Sequence, residues 1–155
     1  VDAGMTEARH RIGQVADSIG VSTRTLRYYE ELGLVQPSGH SAGGSRRYSA
    51  SDVERVLRVR ELQAIMGFNL DEIREILQAE DRLAELRTEY RKGVGTKRAA
   101  TIITDAARLN ARIQEQVLTK IAILEAFQAE LEDKADRYRA EAAKQGFSLT
   151  THASP

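Results

Sequence analysis

Arginine is the residue type whose spacing in this chain asks for a chemical explanation. From Arg9 to Tyr29 there are four arginines (Arg9, Arg11, Arg24, Arg27) against one acid, Asp17; from Gly33 to Ala50 there are Arg46 and Arg47 and no acid. A guanidinium is planar, always charged, and presents a fork of donors that fits two oxygens of a phosphate or carboxylate at once. Arginines clustered in this way are candidates for holding an anion, although arginines solvated on a surface satisfy the same count. Total charge does not separate the two readings. The 23 basic residues balance 23 acidic ones, whereas nucleic-acid binders usually carry a basic total.

Most other chemistries are excluded or unsupported. The 155 residues contain no cysteine, which removes disulfides, thiolate metal sites, cysteine-bound iron–sulfur clusters and thiol catalysis together. His10, His40 and His152 fall in a leading segment, a glycine-rich segment and a tail, with no i, i+4 pairing, so no metal site is predicted. GVGTKR at 93–98 lacks the spacing before a Gly-Lys-Ser/Thr triplet and follows no apolar strand, so it reads as a hinge and not a phosphate loop. No histidine sits in a structured region beside a serine or threonine. The expectation is therefore no catalytic residue, no metal, no cofactor and no enzyme activity.

The elements that must position the arginines can be read from apolar spacing. A hydrophobic content of 41% with 30% charged residues describes a globular protein, and 5% aromatics with two prolines lean towards helix. Ile12, Val15, Ala16 and Ile19 give the stripe of a short helix ending at Gly20. Ser22 is a good N-cap for a second helix, with Leu26 and Tyr29 inward and Arg24, Arg27 and Tyr28 on the other face. Two short helices joined by a glycine turn make a helix-turn-helix. Gly33 closes the second, and SGHSAGGSRRYS, too polar for a core, reads as a β-hairpin wing. Ser51 with Glu54 fits a capping box before a helix that carries Val53, Val56, Leu57 and Val59 and stops at Gly67. Asn69 with Glu72 caps a further helix bearing Leu70, Ile73, Ile76 and Leu77.

Beyond residue 78 the composition changes. Residues 79–98 read as a linker with a helical segment, broken at Gly93–Gly95. Over residues 99–145, Ile103, Asn110, Val117, Leu124, Leu131 and Tyr138 recur every seven positions, with Ala106, Ile113 and Phe127 on the alternate seam. Lys120 and Lys134 interrupt that seam, where Ile121 and Ala135 can take over. A helix of roughly 46 residues, about 70 Å long, cannot bury its own stripe, so the predicted partner is a second subunit. Asn110 on the seam either fixes register or faces solvent. Residues 146–155 read as a flexible tail. No apolar run reaches membrane-spanning length, and VDAGMTEARH lacks the core of a signal peptide, so a cytoplasmic location without membrane contact is expected.

IGQVADSIGVSTRTLRYYEELGLVQP, then GGSRRYSASDVERV, then ELQAIMGFNLDEIREIL resemble the DNA-binding domain of the MerR family, over about residues 12–77 within a domain placed at 10–78. The fold class implied is mainly α: a winged helix-turn-helix with a small β-hairpin wing, followed by a long coiled-coil dimerisation helix. The resemblance further implies a homodimer on double-stranded promoter DNA, an inverted-repeat operator that the protein distorts, and RNA polymerase as a partner at the promoter. By that match Thr23, Arg24, Arg27 and Tyr28 occupy recognition-helix positions, with Arg24 and Arg27 nearest to bases, and Arg46, Arg47 and Tyr48 the phosphate-contacting stretch of the wing. Dimerisation falls to Ile103, Asn110, Ile113, Val117, Leu124, Phe127 and Leu131. Tyr29 is expected in the core, and Arg47 has an ion pair with the Glu30–Glu31 region as its competing role.

Two positions depart from the family pattern. Ser45 stands where a tyrosine or histidine is common, and the arginine usual after Pro37 is missing, so wing contacts are expected to be weaker or rearranged. The absence of cysteine also removes the thiolate sensing found in many members, and leaves the effector unassigned. Any effector pocket would lie near Tyr90, Phe127 or Tyr138, aromatics that packing alone also explains. Two other function classes remain: an architectural, excisionase-like DNA-bending protein, and a coiled-coil adaptor without DNA binding.

Overall fold

The computed structural model describes residues 10–149. Arg9, His152 and the tail from residue 150 onward, which figure in the sequence reading, lie outside the described residues. The order of elements is β1 (His10–Arg11), α1 (Ile12–Ile19), α2 (Thr23–Glu31), β2 (Gly39–His40), β3 (Arg46–Tyr48), α3 (Ala50–Arg60), a π-helical turn (Glu61–Ile65), α4 (Leu70–Arg91) and α5 (Thr96–Lys144). The chain divides into two compact units, the first ending at Ala106 and the second beginning at Ala107.

In the first unit, α1 buries Val15, Ala16 and Ile19 and ends where Gly20, at φ 71°, lets the Val21 amide reach back to the Ala16 carbonyl at 3.0 Å. Ser22 caps α2 by accepting from the Thr25 amide at 3.0 Å, and Leu26 and Tyr29 turn inward. Leu34 and Val35 follow into the core.

The wing has three strands, not the two of a simple hairpin. The order is β1-β3-β2, all antiparallel, with His10 opposite Tyr48 and His40 opposite Arg46. A two-residue strand has no periodicity to read, so β1 was invisible in the sequence; it forms because the chain entering α1 passes the free edge of β3.

The cap of α3 also differs from expectation. It is Ser49, two residues before Ser51, and its box partner is Asp52: the Ser49 hydroxyl accepts from the Asp52 amide at 3.2 Å, and Asp52 accepts from the Ser49 amide at 2.7 Å. Asp52 accepts as well from the amide and hydroxyl of Ser38, at 2.9 and 2.7 Å. Burial works to raise the Asp52 pKa, but the hydrogen bonds from Ser49 and Ser38 outweigh it and leave the carboxyl below its ordinary range. Ser51 with Glu54 fits the same short pattern; the tie to Ser38, across the wing loop, selects the earlier register.

Asn69 and Glu72 form the expected box on α4, with Asn69 Oδ1 accepting from the Asp71 and Glu72 amides at 3.0 and 2.9 Å, and Glu72 accepting from the Asn69 amide at 2.7 Å. Asn69→Ala should therefore cost about 1 kcal/mol of stability, seen as a lower urea midpoint with an unchanged m-value. An unchanged midpoint would mean that the cap contributes nothing net. Ile73, Ile76, Leu77, Ala79 and Leu86 are buried along α4. The stretch 79–91, read as part of a linker, is continuous helix; the break is confined to Lys92–Gly95, with Gly93 at φ 85°. Just beyond it, Arg98 grips Glu89 with two bonds of 2.6 and 2.7 Å, and Ile102 is buried.

Three arginines tie the later helices to the helix-turn-helix through its main chain. Arg60 donates to the Ile19 carbonyl at the end of α1, Arg74 Nε to Leu32 O at 3.1 Å, and Arg55 Nε to Leu34 O at 3.0 Å. Ile19 and Leu32 stand at helix ends, where carbonyls are left unpaired at the negative end of the helix, and Leu34 lies just beyond α2. Arg55 is itself held by Asp81 of α4 in a bidentate pair at 2.7 and 2.8 Å.

In the second unit the helix ends at a glycine turn, Gly146 at φ 81°, with the Phe147 amide bonded to Ala142 O at 3.1 Å. Its seam residues Val117, Leu124, Phe127 and Leu131 are exposed in the single chain, as are Leu118, Ile121 and Ile123. Of the other predicted seam positions, Ile103 and Asn110 are exposed and Ile113 is half-buried. No helix among the described residues is long and apolar enough to cross a membrane.

Candidate nucleic-acid interface

Because Leu26 and Tyr29 fix which arc of α2 faces inward, Arg24, Arg27 and Tyr28 emerge on the opposite arc, while Thr23 is the first residue of the helix, and all four are exposed. Together with Glu31 they line one concave surface. Tyr29 is the anchor beneath them. Its hydroxyl donates to Gln63 of the π-helical turn at 2.7 Å, and burial raises its pKa against the opposing influence of Arg60.

A larger cleft of about 770 Å³ opens between α1, α2 and the wing. Four arginines, Arg11, Arg27, Arg46 and Arg47, line it against a single acid, Asp17, and Gly13, Gly44 and Ser45 keep its walls low. Arg27 belongs to both surfaces. The two arginine clusters, which are 19 residues apart in sequence at their nearest, Arg27 to Arg46, are thus one basic feature in space. The low-walled cleft and forked cations are what a phosphodiester backbone requires.

Tyr48, expected to touch phosphate, is 0% exposed, and its hydroxyl donates to Glu30 Oε1; its side chain belongs to the core. Burial, the bond to Glu30 and the charge of Glu30 raise its pKa, so it stays a neutral donor. Residues two apart on a strand share a face, so Arg46 joins Tyr48 in facing α2. Arg46, and not Arg47, therefore makes the ion pair with Glu30, Nε to Oε2 at 2.7 Å. Arg47 lies on the other face of β3, half-buried and lining the cleft.

Arg11 and Gln14 were missed as site residues. Arg11 stood in the first arginine cluster, but only the pairing of β1 with β3, Arg11 opposite Arg47, brings it to the wing. Gln14 accepts from the Arg11 amide at 2.8 Å and lines the same cleft. Among the described residues no group of three or more histidine, cysteine, aspartate or glutamate side chains is placed to hold a metal ion.

Comparison with known proteins agrees with this geometry. The profile of the MerR HTH family regulatory protein matches residues 10–80. The chain is 37% identical over 101 residues to nodulation protein NolA of Bradyrhizobium elkanii, covering 64% of this chain and 46% of that protein. It is 42% identical over 86 residues to the transcriptional activator TipA of Streptomyces coelicolor, covering 52% of this chain and 32% of TipA. With the mercuric resistance operon regulatory protein of Bacillus cereus it shares 40% over 74 residues, or 48% of this chain and 55% of that one. The chain thus spans about half or less of the length of these curated relatives. Among solved structures, a protein described as a MerR family transcriptional regulator from Listeria monocytogenes superposes with a TM-score of 0.58 at 22% identity, covering 88% of this chain and 92% of that one. HiNmlR, a MerR family regulator lacking the sensor domain and solved bound to promoter DNA, gives 0.54 at 23% identity, covering 88% and 94%. Both likenesses bear on the fold. The motif order, the three-stranded wing around a helix-turn-helix and the profile match agree: residues 10–80 form a helix-turn-helix domain of the MerR family.

Proposed function

We propose that this protein is a dimeric transcription regulator that binds an inverted-repeat promoter operator and distorts it. The observation that carries the reading is the convergence of Arg11, Arg27, Arg46 and Arg47 on one cleft beside the exposed face of α2. Arg24 and Arg27 read bases, Thr23 and Tyr28 hold phosphates beside them, and Arg46 and Arg47 take the backbone from the wing. The fold-level likeness to HiNmlR, which was solved on promoter DNA, supports the assignment. A two-fold dimer presents two such surfaces, which is why the site is an inverted repeat. Distorting the duplex costs several kcal/mol, which phosphate contacts from both subunits offset. RNA polymerase at the same promoter is the further partner, and the cytoplasm the place of action.

The test is a salt titration of binding to duplexes selected by the protein from a random-sequence library. The expected result is an enriched inverted repeat whose affinity falls steeply with salt, with random duplex bound about a thousandfold or more weaker at physiological salt. Equal affinity for every sequence would move the protein to the architectural class. No binding even at low salt would leave a coiled-coil adaptor.

A further inference from the structure

Glu30 stands on the same helix as the exposed Arg27 and Tyr28, yet its side chain is only 10% exposed and faces the wing. One carboxylate oxygen is ion-paired with Arg46 Nε at 2.7 Å, and the other accepts from the Tyr48 hydroxyl. We propose that Glu30 is the positioning residue of the wing: it sets the fork of Arg46 towards the cleft and fixes β3 against the recognition helix before DNA arrives. The proposal rests on the DNA-binding reading above.

The atoms engaged support a positioning role. The ion pair closes at Nε, the root of the guanidinium, so it holds the fork at its base, and the terminal amino groups are the ones a phosphate would engage. The Arg46 side chain remains 47% exposed and lines the cleft, so the pair does not hide it. A carboxylate is a costly choice here on two counts. It is desolvated, and its negative charge lowers the attraction of the cleft for a polyanion. Tethering Tyr48 alone needs only a neutral acceptor. The charge is explained by Arg46: three further arginines line the same cleft, and Glu30 offsets their repulsion on the fourth while removing rotamer freedom that binding would otherwise have to remove.

The experiment measures affinity and salt slope on the duplex selected by the wild-type chain. Arg46→Ala is expected to weaken binding about tenfold and lower the salt slope by about one per subunit. Glu30→Gln keeps the shape and an acceptor for Tyr48, and should lose nearly as much despite removing a negative charge. The double variant should lose little beyond either single one, the signature of two residues acting as a unit. Arg46→Lys keeps the charge but not the fork, and should resemble Arg46→Ala. Tyr48→Phe, which removes only the other bond to Glu30, should lower thermal stability and leave the salt slope unchanged. Binding by Glu30→Gln as tight as wild type or tighter, losses that multiply in the double variant, or full binding by Arg46→Lys would each overturn the proposal. Should Glu30→Gln fail to fold, the exposed Arg46→Lys decides alone. A wild-type chain that binds no duplex would overturn the DNA-binding reading too, whereas a wild type that binds beside an unaffected Glu30→Gln overturns this inference only.

Discussion

Arg27→Ala should lose about 1–3 kcal/mol of binding at each half-site on the selected operator and relax the base preference there. Arg27 is common to the concave surface of α2 and to the arginine-lined cleft, so it stands where base edge and backbone meet. A dimer carries the change twice, which multiplies the loss on the operator. On random duplex the loss should be much smaller, because a phosphate contact can be shared among the remaining arginines while a bidentate base contact has no substitute. Arg47→Ala is the contrasting case. It should weaken all sequences alike and shallow the salt slope by about one per subunit. Equal losses on operator and random duplex for both variants would remove the distinction between a base-reading helix and a backbone-holding wing. Arg27 is exposed, so an unchanged melting curve accompanies a binding defect if the assignment is right.

The second large effect concerns the long helix. Val117→Asp combined with Leu124→Asp should convert a dimer to monomers, read by light scattering, and leave half-sites poorly bound. The two side chains are 38% and 59% exposed in the single chain, one heptad apart, and a partner helix would cover them. Each wild-type residue would contribute about 1.5–3 kcal/mol on full burial. An aspartate in its place forfeits that and places a charge at an apolar seam in both subunits. Thr119→Asp, at an exposed position between the seam positions 117 and 120 and off both, should leave the dimer intact. An undisturbed dimer in the double variant would place the seam elsewhere, with the exposed Leu118 and Ile121 the alternative stripe.

How much of this was legible in the sequence depended on whether a feature repeats locally. Helices α1 and α2 declared themselves through apolar residues three and four apart, and the caps Ser22 and Asn69 through residues within one turn. The cap of α3 was misread because two overlapping patterns compete, and the deciding contact, Ser38 to Asp52, spans 14 residues. β1 was unreadable because two residues carry no alternation. Tyr48 was misassigned for a similar reason. A strand of three residues does not reveal its buried face, and the partner that draws Tyr48 inward, Glu30, is 18 residues away on another element. The same distance hid which wing arginine is paired. In each case local chemistry was right about the residue type and silent about its neighbour. The arginines of the interface were visible as two clusters, whereas their union required the wing to fold back onto α1.

The grip of Arg55, Arg60 and Arg74 on the helix-turn-helix has a consequence for how such a protein changes over time. Their acceptors are the backbone carbonyls of Leu34, Ile19 and Leu32, groups present whatever side chains surround them. The scaffold therefore places no demand on the outward residues of α2, and those positions are free to be rewritten for a new DNA sequence without re-selecting the frame. A chain built this way separates what must be inherited from what can diversify, and an engineer randomising positions 23, 24, 27 and 28 would be varying the address and not the architecture.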